Sequence, residues 1–82
     1  MATIRRCCEM LGWTVEDLAR EARISRETAR KLIRPKPQQA VKYATLVRAV
    51  AAINAGLRQR GYKEVEPSSI EGLVVSDFPG NE

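Results

Sequence analysis

The chain has 82 residues, 44% of them apolar and 29% charged, with a formal net charge of +4. That length holds one domain with a modest core, and no stretch approaches the roughly 18 apolar residues of a membrane span. Histidine is absent, which removes the commonest general base. The two cysteines alone are too few for a structural zinc site.

The opening residues, MATIRRCCEM, lack the long apolar core of a signal peptide. A soluble, cytoplasmic protein with no membrane partner and no cofactor is therefore expected. The charge is segregated. Residues 1–63 carry all 14 Lys and Arg with five acids, a net +9, and residues 64–82 carry five acids and no base, a net −5. The chain thus divides into a basic body, 1–63, suited to a polyanion, and an acidic C-terminal segment, 64–82. That segment reads as a solubilising tail, a partner or dimerisation element, or an internal competitor for the basic face.

Apolar residues are mostly helix formers, and no alternating β-branched run is long enough to suggest a sheet, so the fold class is all-α. Helix 1 is expected after Thr3, an N-cap, to Leu11, with Gly12 in the left-handed position that ends many helices. Cys7 and Cys8 lie on it about 100° apart and are not expected to bridge each other. One reads as buried and the other as near the surface, an intermolecular disulfide or redox role being the alternative. Trp13 is expected to pack over the junction.

Helix 2 opens at Thr14, with Asp17 three residues on as a capping box, and Val15, Leu18, Ala19 and Ala22 form its apolar stripe. The turn is Arg23-Ile24-Ser25, Ile24 plugging the core and Ser25 capping helix 3. Helix 3 spans Arg26 to about Ile33, because Pro35 biases Arg34 out of helical geometry. Projection at 100° per residue turns Ala29, Leu32 and Ile33 inward. Glu27, Lys31 and Arg34 lie opposite, flanked by Arg26 and Arg30, with Thr28 on the other edge.

After the stiff Pro35-Lys36-Pro37, helix 4 is expected from about Gln39 towards Arg60, with Tyr43, Leu46, Val47, Val50, Ile53 and Leu57 as its stripe. Gly56 is expected to loosen its last turns and Gly61 to end it. Residues 70–75 read as a short helix, an edge strand or a docking segment, and 77–82 as frayed.

Two short helices joined by a tight turn, the second basic on its free side, are what a small protein needs to set a helix in the major groove of DNA. Residues 12–34, GWTVEDLAREARISRETARKLIR, resemble the helix-turn-helix of the Cro/C1-type (XRE) repressor family. The resemblance rests on Thr14, Leu18-Ala19, Ile24-Ser25, Thr28-Ala29 and Leu32, and the helical continuation extends it to Leu57. It implies a four- to five-helix lambda-repressor-like bundle in a transcriptional regulator, a repressor in the simplest case, acting as a homodimer on double-stranded DNA at the nucleoid.

The chain departs from the family twice. Arg23 stands where glycine is frequent, and a non-glycine residue there, if left-handed, costs on the order of 1 kcal/mol. Val15 stands where a glutamine often contacts phosphate, which leaves that clamp to Thr14, the helix 2 amides or Arg5 and Arg6. ISRETARKLI also resembles the recognition helix of GntR-type regulators. Their winged fold needs a β-hairpin after helix 3, whereas residues 38–60 read as helix.

By position, Arg26, Glu27, Arg30 and Lys31 are expected at base edges, the cations on guanine and the carboxylate on cytosine. Thr14, Arg23, Ser25, Thr28, Arg34 and Lys36 are expected at phosphates, which set register rather than sequence. The bland alternative is a solvated face, since Glu27 is spaced to pair with Arg30 and Lys31. Seven bases against two acids between Arg20 and Lys36 weigh against it. Arg5, Arg6, Arg58 and Arg60 read as solvated surface charges. Leu57 to Phe78 reads as the dimer element. The other functional class is a protein-interaction module, such as an antitoxin-like protein holding a partner through Ile70, Leu73, Val74 and Phe78. Without histidine, a Gly-rich phosphate loop or a nucleophile arrangement, no enzyme is expected.

Overall fold

The three N-terminal helices form where their caps put them. In the computed structural model, which describes residues 2–77, α1 spans Ile4–Leu11, α2 Val15–Ala22 and α3 Arg26–Ile33. The Thr3 hydroxyl accepts the Arg6 N–H at 3.0 Å. Thr14 and Asp17 make a complete capping box, and the Ser25 hydroxyl accepts the Thr28 N–H at 3.0 Å. Each such cap contributes about 1 kcal/mol. Gly12 and Arg23 are both left-handed, at φ 72° and 58°. At each of these ends the next amide reaches back to a helical carbonyl, Trp13 to Cys8 and Ile24 to Ala19. The chain turns tightly because these orphan carbonyls are satisfied within the turn.

Helix α4, Tyr43–Gln59, is the central strut, packing against α1, α2 and β1. Its buried residues Leu46, Ala49, Val50, Ile53 and Leu57 meet Ile4, Cys7, Cys8 and Leu11 of α1, Leu18 of α2, and Ala29 and Leu32 of α3 in one core. Truncating a fully buried member such as Ile53 to alanine costs ~2–5 kcal/mol. Among the described residues no helix is long and apolar enough to cross a membrane.

Several expectations are corrected. The fold is mainly helical rather than all-α, because Ala40–Lys42 is a strand, β1, paired in parallel with Val74–Ser76, β2. Helix 4 accordingly begins at Tyr43, not Gln39. In β1 the burial alternates, with Val41 pointing into the core. Three residues are too short a run to show that period-two pattern against the helical one beside it. Val47 of the expected stripe is exposed, and Ala49 occupies the inward position. Both cysteines are buried, since with Ile4 and Leu11 they complete one wide stripe at i, i+3, i+4 and i+7. Gly56 does not loosen α4. A Cβ there would lie 3.1 Å from both Leu11 and Trp13, so its smallness permits the close approach of the α1 end. Gly61, at φ 75°, ends the helix as expected.

The acidic segment returns along the body. Asn54 clamps its start, accepting from the Val65 N–H at 2.8 Å and donating to the Val65 carbonyl at 2.9 Å. A single 3-10 turn, Pro67–Ser69, follows. Ile70 then pairs with Ala2, and β2 pairs with β1 in the register Ala40↔Val74, Val41↔Val75, Lys42↔Ser76. Ile70, Leu73 and Val75 pack against the core of their own chain. The edge-strand reading is the one realised for the end of this segment. The expected fraying concerns, beyond Asp77, residues outside the described ones, as does the partner-binding role given to Phe78.

Candidate nucleic-acid interface

The outward side of α3 follows from its inward one. Ala29 and Leu32 are 0% and 1% exposed, and at 3.6 residues per turn this leaves Glu27, Arg30, Lys31 and Arg34 on the free arc. With Lys36 and Gln39 of the connector these four side chains line a hollow of about 350 Å³. A second hollow of about 230 Å³ lies on the other side of Lys31, where Thr28 faces Lys42 and Thr45. Lys31 therefore stands between two concave surfaces, and it is only half-exposed. Arg30, Lys31, Arg34 and Lys36 have no carboxylate partner among the described residues. Neither does Glu27, so the intrahelical ion pairs that its spacing allows are not formed.

Of the expected base-contacting residues, the structure brings Glu27, Arg30 and Lys31 together. Arg26 is at the start of α3, where its guanidinium lies 3.5 Å from the Glu16 carboxylate. That pair ties the first turns of α2 and α3 together. Of the expected phosphate contacts, Arg34 and Lys36 line the first hollow and Thr28 the second. Ser25 is engaged in capping, its hydroxyl donating to Thr28 Oγ1 at 2.8 Å. Thr14 is engaged likewise, its N–H donating to Asp17 at 2.9 Å. Arg23 lines a separate hollow with Arg48, Ala51 and Ala52 of α4.

Gln39, Lys42 and Thr45 were not expected at this surface. In the sequence they are polar residues inside a helical-looking stretch. Their position beside α3 depends on β1, and hence on a strand some thirty residues further on.

The ionisable groups with displaced pKa values owe them to capping and burial. Asp17 is held below the usual carboxylate range, first by the Thr14 N–H it accepts and then by Arg20 at 3.0 Å. Burial pushes the Cys7 thiol up, and burial with the neighbouring Cys7 pushes Cys8 up to about 12. Both thiols are protonated at neutral pH and poor nucleophiles. Among the described residues no three His, Cys, Asp or Glu side chains gather as metal ligands. The chain matches no protein-family model, no curated protein and no solved structure.

Proposed function

We propose that this protein is a sequence-specific, double-stranded DNA-binding regulator that sets α3 in the major groove. The observation that carries the reading is the outer face of α3, where Arg30, Lys31 and Arg34 are left without carboxylate partners although four such contacts form elsewhere on the described surface and Arg26 at the helix start holds Glu16. Unpaired arginine and lysine on a helix anchored by its opposite face suit base edges and phosphates alike. Glu27 among them adds an acceptor for cytosine N4, and it repels phosphate placed out of register.

The proposal includes membership of the Cro/C1-type (XRE) family and a lambda-repressor-like arrangement of the four helices, supported by the Thr14-to-Leu32 pattern and its caps. Action as a repressor in the cytoplasm belongs to it too. One such module reads about half a turn of groove, so a homodimer on a two-fold site is part of the reading. The expected dimer element, 57–78, has less apolar surface to offer than its sequence suggests. Leu57 is 1% exposed and Ile70, Leu73 and Val75 pack against their own core, which leaves Tyr62 and Val74 as the large exposed apolar side chains of the described segment. The same fact weakens the alternative of an antitoxin-like partner-binding segment.

Selection of the purified protein on a random duplex library at physiological salt tests the reading. A two-fold symmetric enriched site is the expected result. Recovery without sequence preference reduces the role to charge-driven binding, and no recovery removes it.

A further inference from the structure

A cleft of about 580 Å³ opens where the start of α1, the end of α3 and the returning segment meet. Small-molecule sites have volumes of ~300–1,000 Å³. Ile33 and Pro35 give this one an apolar lining over the buried Leu32, and Arg34 and Glu71 bring opposite charges to it. Those two charges form an ion pair neither with each other nor with another described residue. Thr3 and Arg5 contribute the first turn of α1, which carries no acidic side chain. Its amides and the Arg5 guanidinium, which also holds Glu9 at 3.4 Å, reinforce the positive side. Gly72 takes a left-handed turn beside the cleft, at φ 86°, and the space around it is open, with Pro35 4.0 Å from where a Cβ would lie.

A ligand that satisfies all three features carries a carboxylate, an ammonium and an apolar body. We propose that the cleft binds a free α-amino acid with an apolar side chain. Its carboxylate meets Arg34 and the start of α1, its ammonium meets Glu71, and its side chain lies on Ile33 and Pro35. The site stands on its own geometry, whether or not the chain binds DNA. Where both ligands bind, Arg34 is common to them, and the amino acid competes with a phosphate for it.

The test is an amide NMR titration of the full chain with three probes of one shape: L-phenylalanine, 3-phenylpropionate and phenethylamine. L-Phenylalanine is expected to saturate at about 1 mM or tighter, shifting the amides of Leu32, Ile33, Glu71 and Gly72, with the two single-charge probes weaker. Glu71→Gln removes only the ammonium partner, from a side chain with no described structural contact. It is expected to weaken L-phenylalanine about tenfold and to leave 3-phenylpropionate no weaker. Equal binding of all three probes, shifts confined to other residues, absence of saturation, or an unchanged affinity in Glu71→Gln each overturns the proposal.

Discussion

On the outer face of α3, Arg30, Lys31 and Arg34 have no carboxylate partner among the described residues. At the C-terminal end of α4, Arg58 holds Glu64 at 2.8 Å, and Arg60 donates to the carbonyls of Gly56 and Leu11 at 3.1 and 3.2 Å. Both regions are cationic in sequence, and their chemistry is spent differently. Arg60 satisfies carbonyls that the ends of α1 and α4 would otherwise leave without donors, so it is a fastener between two helices rather than the solvated charge that its sequence suggests. Arg30, Lys31 and Arg34 hold no carboxylate among the described residues. Cations left free in this way are available to the external polyanion of the proposed function.

The difference is broken most directly by exchanging the losses. Lys31→Ala with Arg34→Ala is expected to reduce duplex affinity roughly ten- to hundredfold, with sequence preference altered by the first substitution. The second should mainly shallow the salt dependence, by about one unit of slope. Arg58→Ala with Arg60→Ala is expected to leave affinity within about twofold and to lower stability by about 1 kcal/mol, read as a shift of the urea midpoint. Equal effects of the two pairs on binding would reduce the α3 face to one charged patch among others.

A sharper form of the comparison removes the neutralising partner instead of the cation. Glu64 reaches Arg58 because Asn54 grips the Val65 backbone through both the oxygen and the nitrogen of its side-chain amide. Asn54→Ala leaves the Val65 N–H and carbonyl without their partners and is expected to cost about 1–2 kcal/mol. Hydrogen exchange at the amides of 65 and 74–76 should rise well before that of the α2 and α3 core, because the returning segment opens as a unit. Exchange that rises uniformly would show that the segment is integral to the helical body and not docked upon it.

That dependence also explains what could be read from the chain. Helices α1 to α3 were legible because every boundary is written locally, in Thr3, Gly12, Thr14, Asp17 and Ser25, within four residues of the amide or carbonyl that it serves. The left-handed backbone of Arg23 was legible only through the resemblance, since glycine is frequent there in the family and nothing in the residue itself favours that conformation. The strand at 40–42 was not legible. Val41 has an inward position only because Val75 lies beside it, and nothing within ten residues signals that pairing. The same non-locality hid Lys42 and Thr45 from the candidate interface, and the Arg60 contact to Leu11, across 49 positions of sequence. The outward face of α3 was legible because helical periodicity alone fixes it. Whether its charges were paired was not, since the spacing of Glu27 permits ion pairs that the side chains do not make.

The smallest expected effect concerns Arg20, which belongs with the fastened cations through its contact with Asp17 but sits within the helix-turn-helix. Asp17 accepts from the Thr14 N–H and from Arg20, and its pKa is lowered in consequence. A carboxyl depressed in the folded state contributes stability that is present above its unfolded value, about 3.9, and is lost as the pH falls through the folded one. The side chain is exposed to solvent screening, so the contribution is modest. Asp17→Asn should lower stability slightly at neutral pH and flatten the acid limb of the stability profile below about pH 4. Thermal melts of both proteins from pH 7 to pH 2 measure this, and the two curves should converge at the acid end. Parallel curves would show that another carboxylate governs the acid limb. Arg20 would then be held chiefly by Glu21, 3.6 Å away, rather than by Asp17.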